Sequence, residues 1–178
     1  IMTRLNGRFG WDWNHCGHNA VKVDDRALRE AGGTYTVPGG IPFATPVVGP
    51  NVACASLWDN LPERIVIPLD GSSSEVAVFF VGVTNPMQSQ VENARLEVVY
   101  TDGSAESRPL VNPDSFDDWL NAAYQTAHET VYFSDYNHGI VARIPTDPAK
   151  QPAHLTVTAV ANEVLVGVIG VTVARTRS

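Results

Sequence analysis

The segment 75–109, EVAVFFVGVTNPMQSQVENARLEVVYTDGSAESRP, decides the fold class. Its apolar run, 76–83, is predicted to form a strand that is buried on both faces, and it ends in a loop rich in amide side chains. An alternating strand, 94–101, follows. The dipeptide Asp102-Gly103 then predicts a hairpin turn, because such residues adopt positive φ at low cost. This order of elements is typical of an antiparallel β-sandwich with a polar loop at one end.

The rest of the chain has the same character. About ten short strands are predicted, and turns rich in Gly, Pro, Asn and Asp separate them. A short helical turn is expected over 25–31, and the segment 113–127 is predicted to be either a helix or a turn and a loop. Residues 1–19 are expected to form an irregular arm. The sequence therefore predicts one all-β domain over 1–178, a jelly-roll sandwich of antiparallel sheets with little helix.

Composition and charge exclude two classes of partner. The 178 residues are enough to bury a core, and their charge is low, with 17% charged residues and a net charge of −7. The 12 Lys and Arg residues are scattered along the chain, whereas nucleic-acid binding needs clustered cations. No apolar run reaches the roughly 20 residues that span a bilayer. Neither a nucleic-acid partner nor a membrane partner is expected.

Two further features leave alternatives open. Cys16 and Cys54 either pair in an oxidising compartment or remain small buried apolar residues. The sequence begins Ile1-Met2 without a signal-peptide pattern, which suggests a chain cut from a longer one. The cellular location is therefore not read directly from the sequence.

Three parts of the sequence resemble a known family: GIPFATP (40–46) with NVACASLWDNLP (51–62), NPMQSQ (85–90) after the strand 76–84, and IPTDPAK (144–150) with ANEVLVG (161–167). The chain resembles, over roughly residues 40–173, the galactose-binding-like β-sandwich domains attached to bacterial polysaccharide-degrading enzymes. Many of these domains are carbohydrate-binding modules. The resemblance implies a jelly roll, often with one structural calcium ion, and a sugar site in loops at one end. It also implies that the parent enzyme is secreted or periplasmic. Some members of the family only pack against a catalytic domain.

Aromatic side chains are the first candidates for a sugar site, because sugar rings stack on flat apolar faces. Trp119 and Tyr124 lie in a polar stretch, NPDSFDDWLNAAY. Trp119 is interpreted either as an exposed stacking platform or as a local hydrophobic staple. Tyr136, Asn137 and His138 follow in TVYFSDYNHG, where a ring adjoins hydrogen-bonding groups. The alternative for these three residues is an ordinary polar turn.

The remaining candidates for the sugar site are two glutamine amides and three further tryptophans. Gln88 and Gln90 suit sugar hydroxyls, because amides donate and accept hydrogen bonds at once. Their alternative role is to satisfy the backbone of a buried loop. Trp58 is expected in the core. Trp11 and Trp13 are expected either to plug one end of the sandwich or to form a stacking platform.

Calcium is the metal that the residue types favour, since it prefers carboxylate and carbonyl oxygens. Asp24, Asp25 and Asp70 lie in turn segments that suit such a site, and solvated turns are the alternative. The segment 14–18, NHCGH, could bind zinc or copper with His138 as a fourth ligand, but its spacing matches no transition-metal motif.

The hypothesis from the sequence is a non-catalytic carbohydrate-binding module that binds a polysaccharide or oligosaccharide of neutral or weakly charged type. Two alternatives stand beside it. One is a structural domain that docks on the catalytic domain of a larger polypeptide without binding sugar. The other is a small β-sandwich hydrolase or lyase, although no spacing selects a carboxylate pair and no G-x-S-x-G motif is present.

Overall fold

The structure is a computed structural model that describes residues 2–3, 26–37, 39–57, 61–84, 86–119, 129–132 and 138–175. Within these residues the first sheet has six strands, in the order β1 (Met2–Thr3), β4 (Val52–Ser56), β12 (Leu165–Ala174), β6 (Glu75–Val83), β10 (His138–Pro145) and β9 (Glu129–Tyr132). The second sheet has four, in the order β5 (Arg64–Pro68), β11 (Pro152–Ala159), β7 (Glu92–Tyr100) and β8 (Ala105–Val111). A separate hairpin consists of β2 (Thr34–Thr36) and β3 (Pro42–Ala44). The helical elements among the described residues are α1 (Arg26–Glu30) and one 3-10 turn, Pro86–Gln88.

All paired strands in these sheets are antiparallel. The predicted all-β class, with antiparallel sheets and little helix, is confirmed. The predicted arm 1–19 contributes β1, and its other residues lie outside the described part of the chain. The segment 113–127 was predicted to be either a helix or a turn and a loop. Its described part, 113–119, is a turn and a loop.

Strand β6 is buried on both faces, as its unbroken apolar sequence predicts. One face carries Val78 and Phe80 into the core between the two sheets, where they join residues such as Leu96 and Leu155. The other face belongs to a second core formed by the residues Leu28, Phe43, Phe79, Val81 and Trp119, among others. Helix α1 and the β2–β3 hairpin therefore cover the outer face of the six-stranded sheet.

The predicted Asp102-Gly103 turn connects β7 to β8. Gly103 has φ +84°, and its backbone nitrogen donates a hydrogen bond to the Tyr100 oxygen at 3.0 Å. The Asp102 carboxylate accepts hydrogen bonds from the side chain and the backbone nitrogen of Ser104. These hydrogen bonds lower the pKa of the Asp102 carboxyl, because they favour its ionised form. The Asp102 carboxylate therefore stabilises the turn.

Cys54 on β4 is a free thiol with 1% exposure. The interpretation as a small buried apolar residue holds for Cys54, and Cys16 lies outside the described residues. Burial raises the pKa of the Cys54 thiol from 9.0 to about 12, because desolvation disfavours the thiolate.

We expect Cys54 to resist alkylation in the folded protein. At pH 8 a pKa of about 12 leaves roughly a thousandfold less thiolate than the ordinary value does, and the thiolate is the reactive form. Iodoacetamide labelling followed by peptide mapping reports Cys54 separately from Cys16. Labelling of the Cys54 peptide should require denaturant, and equal labelling with and without denaturant would disprove the buried placement.

The described part of the chain contains no helix that is long and apolar enough to cross a membrane.

Candidate functional site

The amide-rich loop that follows β6 is held together by the buried Asn93. The Asn93 side-chain nitrogen donates to the backbone oxygens of Gln88 and Val91, at 2.8 Å and 2.9 Å. Its side-chain oxygen accepts a hydrogen bond from the Thr84 hydroxyl at 2.6 Å. The backbone oxygen of Asn93 also accepts from the nitrogens of Val160 and Ala161. This amide therefore satisfies loop backbone, which is the role that the sequence offered as the alternative for Gln88 and Gln90.

Gln88 and Gln90 join the same loop to its neighbours. The Gln88 side chain donates to the Asn162 oxygen at 3.1 Å. Gln90 has φ 60°, and its backbone nitrogen donates to the Asn112 oxygen at 2.8 Å. Gln88 thus has a structural hydrogen bond, whereas the Gln90 side chain is exposed. Contact of either residue with a ligand stays a prediction.

Trp119 is buried, with 2% exposure, and belongs to the second core. Its backbone nitrogen donates to the Gly82 oxygen at 2.9 Å, and its oxygen accepts from the His138 nitrogen at 3.0 Å. Gly82 makes this approach possible, because a Cβ there would lie 2.4 Å from the Asp117 oxygen. The interpretation of Trp119 as an exposed platform is wrong in this structure, because the ring offers no free face to a sugar.

His138 is also buried, and its Nε2 lies 2.6 Å from Oδ1 of Asp117. The exposure of the two side chains is 0% for His138 and 2% for Asp117. Within the same segment, the Asp118 carboxylate accepts a hydrogen bond from the Thr84 nitrogen at 3.3 Å. The prediction that His138 binds sugar hydroxyls is wrong here, since its ring is shielded from solvent. The pair instead connects the segment 116–119 to the start of β10.

The other predicted site residues, Tyr124, Tyr136 and Asn137, lie outside the described residues, as do Asp24, Asp25, Trp11, Trp13 and Trp58. Their roles stay predictions.

A cleft of 520 Å³ lies at the other end of the sandwich, among residues of β3, the end of β5 and the end of β12. It exists because β4 pairs with β12 only over residues 165–168 of β12. Beyond that point the β2–β3 hairpin flanks β12, and the Thr172 hydroxyl donates a hydrogen bond to the Pro42 oxygen. The cleft is the space between this hairpin and β5.

The cleft combines apolar walls with a few polar groups. Its lining consists of Thr34, Pro42, Phe43, Ala44, Ile67, Pro68, Leu69, Asp70, Val171, Thr172, Val173 and Arg175. The polar members are two threonine hydroxyls, one carboxylate and one guanidinium. A concave apolar surface with a small number of polar groups is the usual form of a site for small ligands.

Asp70 is the one predicted metal ligand that the structure describes, and it lines this cleft. No group of three or more His, Cys, Asp and Glu side chains that could hold a metal ion occurs among the described residues. The other two predicted calcium ligands are not described, so the calcium site stays a prediction.

Comparisons of the chain with protein-family models, curated proteins and solved structures find no match. The resemblance to galactose-binding-like domains, and the jelly-roll topology that it implies, therefore stay predictions.

Proposed function

We propose that this chain is a non-catalytic carbohydrate-binding domain and that the cleft beside β12 binds the glycan. The observation that supports this proposal is the composition of the cleft, in which apolar walls from three strands adjoin hydroxyl and charged groups. A sugar presents an apolar C–H face and an edge of hydroxyls, so it requires both kinds of surface. The volume of 520 Å³ lies in the range of about 300–1,000 Å³ that is usual for small-ligand sites.

The polar groups of the cleft match the hydrogen-bonding needs of hydroxyls. A hydroxyl donates one hydrogen bond and accepts others, and the Asp70 carboxylate accepts while the Arg175 guanidinium donates. The hydroxyl of Thr34 does both. Apolar contact comes from Pro42 and Val171, in place of the aromatic platform that the sequence predicted at Trp119.

Filling the cleft should weaken glycan binding. Ala44 is exposed and lines the cleft, so Ala44→Trp adds a large side chain to the space without disturbing a core. We expect the dissociation constant for glycan to rise by about tenfold or more, which corresponds to about 1.4 kcal/mol. The measurement is isothermal titration calorimetry with oligosaccharides chosen on a glycan array.

The matched control is Ala105→Trp, because Ala105 is also an exposed strand alanine and does not line the cleft. This control should bind glycan as the parent does. If Ala44→Trp and the parent bind glycan equally well, the glycan occupies another surface.

One observation favours the alternative of a domain that docks on a catalytic domain of the same polypeptide. Met87, Val91 and Val160 are exposed by 91%, 46% and 42%, and hydrogen bonds from Val160 and Gln88 join the two loops that carry them. Exposed apolar side chains grouped on neighbouring loops are typical of interaction surfaces. If the parent binds no oligosaccharide, this alternative replaces the glycan proposal.

A further inference from the structure

We propose that the cleft selects glycans that carry a carboxylate, such as uronic acids, and that Arg175 is the residue that binds this carboxylate. This inference rests on the proposed glycan function and adds to it the class of sugar.

The exposed Arg175 lies beside Gly71 at the cleft. A Cβ on Gly71 would lie 2.9 Å from Nη1 and 3.3 Å from Cζ of Arg175. The guanidinium therefore lies close to the position where another residue would carry its Cβ. Gly71 also has φ +80°, a conformation that favours glycine over other residues. The turn after β5 thus leaves space beside Gly71 for the guanidinium, which is part of the lining of the cleft.

The guanidinium of Arg175 belongs to an exposed side chain. Two other arginines of the described residues are ion-paired: Arg95 with Glu92, and Arg143 with Glu75 and Glu129. No such ion pair joins Arg175 to a carboxylate of the described residues, although Asp70 lines the same cleft. An exposed cation beside an apolar cleft, without an ion pair among the described residues, is suited to a ligand that brings its own anion.

The geometry of arginine favours a carboxylate as that anion. The guanidinium is planar and presents its N–H groups as a fork that pairs with both oxygens of a carboxylate. Asp70 and the net charge of −7 disfavour a densely charged polyanion at the same place. The cleft is therefore suited to one carboxylate on an otherwise neutral sugar, with the ring against Pro42 and Val171.

The test uses uronic-acid oligosaccharides of several linkages and, for each, the neutral counterpart made by reducing its carboxyl group. Titration calorimetry at low salt compares the parent with Arg175→Gln. The control variant is Arg64→Gln, because Arg64 is exposed at the start of β5 and does not line the cleft.

We expect the parent to bind at least one acidic oligosaccharide about tenfold more tightly than its neutral counterpart, which is about 1.4 kcal/mol. Arg175→Gln should lose this preference and bind acidic and neutral sugars about equally, and Arg64→Gln should behave as the parent does. Equal binding of acidic and neutral sugars by the parent, or a preference that survives in Arg175→Gln, overturns this inference and leaves the glycan proposal intact. Binding of neither class overturns both.

Discussion

Replacing Trp119 by Ala is expected to lower the free energy of unfolding by about 3–5 kcal/mol, as loss of a buried indole does. The ring has 2% exposure and packs in the second core with residues such as Phe79 and Val81. Its removal leaves a cavity against β6 that the rigid sheet cannot fill by relaxation. Urea unfolding midpoints of Trp119→Ala and the parent measure the effect.

The comparison variant for this experiment is Met87→Ala, because Met87 is a large apolar residue with 91% exposure. Its unfolding midpoint should stay close to that of the parent, since exposed side chains contribute little to stability. If Trp119→Ala is as stable as Met87→Ala, then Trp119 is not a core residue and its role as a stacking platform is restored.

Replacing Gly82 by Ala is expected to destabilise the fold by about 3 kcal/mol, at the upper end of the usual cost of overpacking. A Cβ at this position would lie 2.4 Å from the Asp117 oxygen and 2.9 Å from the Phe116 ring. Neither neighbour can move easily, because Phe116 is fully buried and the Asp117 side chain pairs with His138. The segment 116–119 must therefore separate from β6 or distort it.

Gly103→Ala provides the matched control for Gly82→Ala. Gly103 has φ +84° with nothing within 4 Å of an added Cβ, so this variant reports backbone strain alone, about 1–2 kcal/mol. Denaturant unfolding should rank Gly82→Ala well below Gly103→Ala. The reverse order would show that the close approach of Asp117 to β6 is wrong.

Local patterns predicted much of the fold. Strand β6 was identified because a run without polar residues suits a strand with two buried faces, and the structure places a core on each side of it. The dipeptide Asp102-Gly103 marked the turn between β7 and β8. Each of these features depends on residues close together in sequence.

The candidate site was harder to predict because it depends on contacts between distant segments. The polar neighbours of Trp119 in the sequence suggested an exposed residue. In the structure the Asp117 carboxylate pairs with His138, and the missing side chain of Gly82 lets the segment 116–119 pack against β6. The sequence offered Gln88 and Gln90 a second role, to satisfy loop backbone, and in the structure the buried Asn93 has this role. A sequence pattern within one segment cannot show contacts between residues that are far apart in the chain.

The cleft beside β12 has no local signature either. Its polar groups, Thr34, Asp70, Thr172 and Arg175, come from three separate parts of the chain. The sequence marked Asp70 as a turn carboxylate and suggested calcium for it. The cleft is explained by the sheet register, because β4 pairs with β12 only over residues 165–168 and leaves the rest of β12 without this neighbour.

The central claim is that glycan binds in this cleft, and a two-dimensional NMR titration of the isotope-labelled domain tests it most directly. The titrant is the oligosaccharide that binds most tightly in calorimetry. We predict that the largest changes in amide chemical shift occur at residues 67–71 and 171–175, which line the cleft or adjoin it. Changes confined to other parts of the chain, or no changes at saturating oligosaccharide, would contradict the claim.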